Sequence, residues 1–542
     1  MIPISARNIG EVIDEAARRY APNPFLMVPR DPSRHYDPEG RTESFATFAQ
    51  KVNSTVEDLR ATGYGHGHRI AVLLENRVEC AVAKFACATC GITWVPINPD
   101  YRPAEIAYIL QDSQIDMAMA VPERETVLRE AVSLSGADVA QAIFDEQGQC
   151  VFPAARSTPP LAGMPHPQSQ ASVLYTSGTT GQPKGCILSH EYELFLGQWY
   201  ATRGGLMALS EGCERLYNPL PLFHVNAGVV SLYAMMLLGG CQVLPERFSK
   251  RRWWREIRET QSTIIHYLGV VVPALLNAPP EQDERNHRVR FGFGAGLEPT
   301  LHHIFEERFG FPLIEGWGMT EMCRILVDNY EPRLINTRAM GRPQPGLEVR
   351  VVDENDHDVP IGQPGEMIVR HSPETPRFGA FSGYLNQADA TEQAWRGGWF
   401  HTGDTVRQDA TGTLFFIERK KNIIRRSGEN IAAAEVEAAL QGHDRVAQVA
   451  VVAVSDVTRD EEVLACVVLA TGPADAASAR LLFEHCYTEL AYYKAPGWII
   501  FVDTLPVTGT QKVLKHKIFD EAEDPLSRPD AFDLRYLKRR TR

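Results

Sequence analysis

Between residues 45 and 120 the sequence keeps switching period, and that alternation limits the possible folds more than any other feature. Residues 48–62 repeat their apolar positions at helical spacing, and 69–74 read as a strand. Residues 78–90 return to helical spacing, and Val95-Pro96-Ile97 makes a further short strand. Helix and strand in turn predict a layered α/β sheet, because helices must cover the faces of the strands. Ahead of this region Ile9, Val12, Ile13 and Ala16 fall on one face of an amphipathic helix. That segment lacks the apolar core of a signal peptide, so no secretion is expected.

A chain of 542 residues allows two to four domains at roughly 150 residues each. Residues 153–170 are rich in Pro, Ser and Gln and read as an exposed connection. After residue 340 short alternating runs, 348–353 and 366–370, stand between Gly and Pro turns and predict a β-rich subdomain. Near 420 a basic run precedes a helix at 435–440 and strands at 446–454 and 463–469, the pattern of a small α+β domain. The expected architecture is therefore α/β, with layered subdomains and a β-rich subdomain in residues 1–420 and a small α+β domain in 421–542. No repeat of fixed period is present.

Composition removes several function classes. The chain is 44% hydrophobic and 23% charged, as expected for a folded globular protein. With 55 Lys and Arg against 68 Asp and Glu, the net charge of −13 argues against a general nucleic-acid or anionic-lipid surface. The apolar stretch 228–240 is too short to span a bilayer and reads as core. Ten cysteines spread along the chain make no disulfide framework, which fits a reducing cytoplasm. Cys87 and Cys90 have the spacing of a redox or zinc pair but lie in an apolar helical run, so buried packing is expected. His302-His303 and His190-Glu191 lack metal-site spacing.

The segment 175–185, YTSGTTGQPKG, carries chemistry. Its glycines let the backbone approach a ligand, its hydroxyls supply hydrogen bonds and Lys184 adds positive charge, a set suited to a polyphosphate. Pro183 stands where a Walker A loop requires glycine. Taken alone, the segment reads more readily as a flexible loop.

Six further stretches follow in order: Pro221-Leu222-Phe223-His224, Gly294-Ala295-Gly296, Glu315-Gly316-Trp317-Gly318-Met319-Thr320-Glu321, Gly398-Trp399-Phe400-His401-Thr402-Gly403-Asp404, Glu418-Arg419-Lys420-Lys421, and the lysine at 512. Together with 175–185 they resemble the adenylate-forming superfamily of acyl-CoA synthetases, luciferases and nonribosomal adenylation domains, over essentially residues 10 to 520. Within it, the pattern from 418 to 430 followed by Arg459-Asp460-Glu461 looks most like the carnitine/crotonobetaine-CoA ligase branch.

The resemblance implies a two-step ligase: a carboxylate attacks the α-phosphorus of ATP, pyrophosphate leaves, and CoA then takes the acyl group as a thioester. Charge builds on phosphorus oxygens in the first step and must be met by cations and Mg²⁺. By resemblance Thr176, Ser177, Gly178, Thr179, Thr180 and Lys184 would hold the β- and γ-phosphates. Thr320 would bind the α-phosphate, and Glu321 would be the protein ligand of Mg²⁺. Nucleoside recognition would fall to Gly294, Ala295, Gly296, Glu315, Gly316, Trp317, Gly318, Met319 and Asp404, with Arg419 reaching the ribose or α-phosphate. Lys512 would bridge the attacking carboxylate and the α-phosphate, where its charge matters most in the transition state. Lys421 would be the hinge of a mobile C-terminal domain, and Arg425 and Gly428 would serve the thioester step. Read singly, Lys512 is a surface lysine, Trp317 a core residue and Glu321 a helix-cap carboxylate.

The acyl pocket would draw on His224, Asn226, Gly294, Gly316, Met319 and Arg324. Val225 stands where amino-acid-activating relatives carry aspartate, which disfavours an amino acid substrate. Arg324 would recognise a polar or anionic end of the acid, the alternative being a surface salt bridge. Two departures stand out: Gln511 precedes Lys512 in place of glycine, and Arg425 replaces a common lysine. The expected partners are thus a small carboxylic acid, ATP and CoA, with Mg²⁺ as cofactor. No nucleic acid and no membrane span are expected, and a homodimer is compatible. Transfer to a carrier protein's phosphopantetheine is the alternative second step, and a nucleotide-binding protein without turnover is the third reading.

Overall fold

Capping chemistry starts the first helix. Asn8 accepts from the Glu11 amide while the Glu11 carboxylate accepts from the Asn8 amide, a closed capping box on Ile9–Arg19. The helix buries Ile9, Val12, Ile13 and Ala16, the face expected from their spacing. Ser44 caps Phe45–Ala61 in the same way, which sets that helix's start ahead of its apolar repeat. Gly91, left-handed at φ 72°, ends Val78–Cys90.

The computed structural model describes residues 1–145, 148–156, 159–176, 182–269, 271–419, 423–506, 513, 515–519 and 524–540, excluding the side chains of 418, 419 and 516. The chain forms two compact units. The larger holds Met1–Pro99, Ile109–Tyr175 and Gly185–Glu418; the smaller holds Asp100–Tyr108, Thr176–Lys184 and Arg419–Arg542.

The larger unit contains three sheets. One has eight strands in the order Met322–Val327, Leu313–Met319, Phe291–Ala295, Ile264–Leu268, Arg215–Tyr217, Cys241–Val243, Pro24–Val28, Arg41–Ser44. Its inner strands pair in parallel, as crossover helices require. A second sheet has seven strands and runs from Gly383–Tyr384 through Lys184–Ser189, Gln170–Thr176, Thr93–Pro96 and Arg69–Leu73 to Met117–Ala120 and Ala140–Ile143. The third is the β-rich region expected after residue 340, with Glu348–Val352, Pro364–Arg370 and Phe400–Gln408 paired antiparallel.

Helices cover these sheets, and two of them are joined by an ion pair in the core. Lys84 on Val78–Cys90 lies 2.9 Å from Glu193 on His190–Ala201, with both side chains buried. Ser172 donates to the same carboxylate at 2.5 Å, and the ammonium sits over the Trp94 ring. Cys87 and Cys90 are buried and unpaired, like the other buried cysteines of the chain. The stretch 228–240 is core: Leu232–Leu238 is buried throughout. Among the described residues no helix is long and apolar enough to cross a membrane.

The smaller unit folds around a six-stranded sheet in which Asp460–Leu469 is central. Ile423–Arg426 and Val446–Asp456 pair with it antiparallel, and Trp498–Phe501 pairs in parallel. Ala433–Gln441 and Ala476–Glu489 bury Val436, Leu440, Leu482 and Phe483 against Val463 and Ile499.

Candidate active site

In the larger unit the stretches 294–296 and 315–321 lie at or beyond the carboxyl ends of neighbouring parallel strands, where open α/β sheets bind ligands. Gly294 on Phe291–Ala295 stands opposite Tyr267 on one side and Glu315 on the other. A Cβ at 294 would lie 2.4 Å from the Tyr267 carbonyl, so only glycine lets the strands close here. Glu315 is turned inward. One of its oxygens accepts from the Tyr267 hydroxyl at 2.5 Å, and the other accepts from the amides of Gly296 and Leu297 at 3.2 and 3.3 Å. Burial pushes its pKa up. Glu315 therefore fixes the 294–297 turn, the surface assigned to the nucleoside, from behind.

Trp317 and Asp404 meet: the indole N–H donates to Asp404 Oδ2 at 2.7 Å, with both residues buried. Asp404 is oriented in turn by its own amide, which donates to Thr402 Oγ1, while that hydroxyl donates to the Met367 carbonyl. The strands Leu313–Met319 and Phe400–Gln408 thus present a carboxylate and an aromatic ring as one unit.

Thr320 and Glu321 occupy the turn between Leu313–Met319 and Met322–Val327. Tyr192 donates to the Thr320 carbonyl and Tyr384 donates to Glu321 Oε1, each at 2.8 Å. Burial, then the Glu321 charge, raises the Tyr384 pKa, so the phenol stays protonated and donating. No group of three or more His, Cys, Asp or Glu suited to a metal occurs among the described residues. A lone carboxylate fits Mg²⁺, which keeps waters and substrate phosphates in its shell, and would not fit a metal held wholly by protein.

The residues assigned to the acyl pocket lie beside a buried polar network that the motifs did not reveal. Asn226 begins a π-helical turn, Asn226–Ser231, ahead of Leu232–Leu238. Its Oδ1 lies 2.7 Å from His266 Nδ1 and 3.0 Å from Asn218 Nδ2, and His266 Nε2 lies 2.8 Å from the Tyr200 hydroxyl. Burial drives the His266 pKa down to about 3. The ring is thus neutral, and its partners assign the proton to Nδ1. The only sequence cue was a histidine in the apolar strand Ile264–Leu268. The Phe293 ring packs on both Tyr200 and His266, and Gly316 leaves room for it. His224 is partly buried with its ring against Phe223.

Arg324 sits on Met322–Val327 with its guanidinium donating to the Phe378 carbonyl at 3.2 Å and lying over the Phe378 ring. Arg203, just beyond His190–Ala201, donates to the Trp199 carbonyl and to Gln344 and stacks on the Trp199 ring. Burial, with the like charge of Arg324, lowers the pKa of Arg203. All of these partners are neutral.

In the smaller unit Thr176 donates to the Lys184 carbonyl at 3.5 Å. Arg425 and Gly428 belong to a β-hairpin whose strands are Ile423–Arg426 and Glu429–Ala432. Arg426 faces Glu429 across a two-residue turn, with Ser427 and Gly428 at φ 53° and 92°, the positive pair of a type I′ turn. Ser177, Gly178, Thr179, Thr180, Lys421 and Lys512 lie outside the described residues, as does the Arg419 side chain.

The profile of the family described as AMP-binding enzyme matches residues 13–385, and that of the AMP-binding enzyme C-terminal domain matches 435–512. The chain belongs to the AMP-binding enzyme family. It is 30% identical over 535 residues to a sulfoacetate–CoA ligase of Cupriavidus necator, covering 96% of this chain and 100% of that one. Over 489 residues it is 28% identical to a crotonobetaine/carnitine–CoA ligase of Proteus mirabilis, covering 88% and 92%. Its fold matches o-succinylbenzoate CoA synthetase from Bacillus subtilis bound to a product analogue, with a TM-score of 0.79, 25% identity, and 95% and 98% of the two chains covered. The fold also matches the amide bond synthetase McbA from Marinactinospora thermotolerans, with a TM-score of 0.77, 24% identity, and 94% and 99% covered. The chain is an AMP-forming acyl-CoA synthetase, an acid–thiol ligase that uses ATP and CoA to turn a carboxylic acid into its thioester by way of the acyl-adenylate.

Proposed function

We propose that this ligase activates a small carboxylic acid carrying a second anionic group, a sulfonate or carboxylate, at its far end. The observation that carries this reading is the pair Arg203 and Arg324: two partly buried guanidiniums close enough to affect each other, held by backbone carbonyls, the Gln344 amide at Arg203 and aromatic faces, with no carboxylate partner among the described residues. Like charges gathered in partial burial are unfavourable until an anion joins them, and a guanidinium's fork suits a sulfonate or carboxylate. The pair stands on the elements that wall the acyl pocket, since Tyr200 next to Trp199 holds His266 and Arg324 follows Thr320-Glu321. A relative named for sulfoacetate at 30% identity points the same way.

In the first step the acid's carboxylate oxygen bonds to the α-phosphorus as the bond to pyrophosphate breaks. Lys512 would sit between these groups, Thr320 would steady the α-phosphate, and Thr176, Ser177, Gly178, Thr179, Thr180 and Lys184 would hold the departing phosphates. Glu321, oriented by Tyr384, would hold Mg²⁺, which supplies charge neutralisation on the phosphate oxygens when bound. Asp404 would take the ribose hydroxyls as an acceptor, with Arg419 beside it. In the second step the CoA sulfur bonds to the acyl carbon and AMP leaves. Rotation about Lys421 would exchange Lys512 for the Arg425–Gly428 turn, dividing the chain at about residue 420. Free cysteines throughout the chain suit a cytoplasmic setting.

A pyrophosphate-release screen over sulfoacetate, malonate, acetate, benzoate and carnitine tests the substrate class. Sulfoacetate or malonate should lead, and Arg324→Ala should lower kcat/KM for that acid by about 10- to 100-fold, the loss of a charge-assisted contact, while changing the value for acetate far less. Equal losses for both acids would remove Arg324 from substrate recognition. Consumption of the adenylate by free CoA distinguishes this second step from transfer to a carrier protein.

A further inference from the structure

The hairpin that carries Arg425 and Gly428 is tied down from one side. The amide of Arg425 donates to Glu461 Oε2 at 2.6 Å, and that of Ser427 donates to the Arg459 carbonyl at 2.9 Å. Beneath the turn, Arg426 Nε donates to Glu462 Oε2 at 2.7 Å, and Lys538 Nζ donates to Glu462 Oε1 at 2.5 Å. The side chains of Glu462 and Lys538 are fully buried, and that of Arg426 is 5% exposed. The Gly497 backbone closes one side of Glu462, because a Cβ there would lie 2.5 Å from its side chain.

One buried carboxylate thus serves two buried cations. A charge arrangement of this kind seldom stabilises a fold more than an apolar core of the same volume would. What it does is fix geometry, because every member has one place to be. Burial, and then the charge of Arg426, lowers the Lys538 pKa to about 7, so the ammonium depends on its contact with Glu462 to keep its proton. The residue that completes the cluster comes from a segment 76 positions beyond Glu462 in sequence, after the strand Ala531–Asp533.

We propose that Lys538 is a positioning residue for thioester formation, setting through Glu462 and Arg426 the place of the two-residue turn that serves the second half-reaction. The inference rests on the reading given above that this hairpin acts in that step.

The test measures the half-reactions separately, using the screened acid that releases pyrophosphate fastest. Adenylation is followed by pyrophosphate exchange into ATP, and thioester formation by single turnover of pre-formed acyl-adenylate with CoA. Lys538→Met should leave exchange nearly unchanged and slow thioester formation by about 10- to 100-fold, the scale of a misplaced positioning group. Lys538→Arg should restore most of that rate, and Gly428→Val, which disrupts the turn directly, should show the same split. Intact exchange also verifies folding, because on the same reading it needs Lys512 from the C-terminal segment. If Lys538→Met lowers both half-reactions together or neither, the inference is overturned. A split in Gly428→Val without one in Lys538→Met overturns the inference and leaves the hairpin's role standing. A split in Lys538→Met without one in Gly428→Val overturns the hairpin's role and the route through it.

Discussion

At the scale of single residues, the candidate site is built from buried pairs in which one side chain sets the direction of the other. The Trp317 indole spends its only donor on Asp404. Trp317→Phe keeps the ring but removes a donor from a buried carboxylate, which should cost about 1–2 kcal/mol, visible as a lower midpoint in denaturant unfolding. The KM for ATP should rise more than kcat falls, and an unchanged ATP KM would separate the pair from nucleotide binding. Sequence located Trp317 and Asp404 by their motifs but could not join them, because 87 positions separate them. The same limit hid the partners of Glu315 and His266. Which face a strand residue presents is settled by neighbouring strands, and Tyr200, Asn218 and Asn226 reach His266 from distant elements.

At the scale of elements, periodicity was a sound guide where a helix or strand owes its limits to its own apolar pattern. The helix read at 78–90 is Val78–Cys90. Capping and pairing decided the rest: Ser44 moves one helix start forward, and pairing with Val446–Asp456 draws Asp460–Leu469 out beyond the apolar run read at 463–469. The π-helical turn at Asn226–Ser231 left no periodic trace. Nor did the Lys84–Glu193 pair, since a lysine in an apolar helix shows its purpose only beside its partner. Lys84→Met leaves Glu193 buried without its cation and should cost about 3–5 kcal/mol. Restoring most of that loss in Lys84→Met with Glu193→Gln would confirm the pair as its source; additive losses in the double variant would refute it.

At the scale of the whole molecule, two buried histidines give the larger unit an acid limit. Burial, aided at His190 by Lys84, holds the pKa values of His190 and His266 at about 3, against 6.5 for an ordinary histidine. Both are depressed, so between pH 6.5 and 3 the unfolded chain binds protons that the folded chain refuses. Their contribution is complete above pH 6.5 and is lost as pH falls, by about 1.4 kcal/mol per unit for each group. The thermal midpoint should therefore drop across this window, and His266→Gln should flatten the drop; the same slope in the variant would assign the acid limit to other groups.

The order of strands in the two large sheets also governs how this chain can come together in time. Pro24–Val28 lies beside Cys241–Val243, and Lys184–Ser189 lies beside Gly383–Tyr384. Neighbours in space are thus hundreds of residues apart along the chain, and long loops must close before either pairing is rewarded. The eight-stranded sheet draws on residues 24 to 327 and the seven-stranded sheet on residues 69 to 384. The seven-stranded sheet lacks its last strand until residues 383 and 384 have been made, so it is completed late in synthesis and exposed to mispairing along the way.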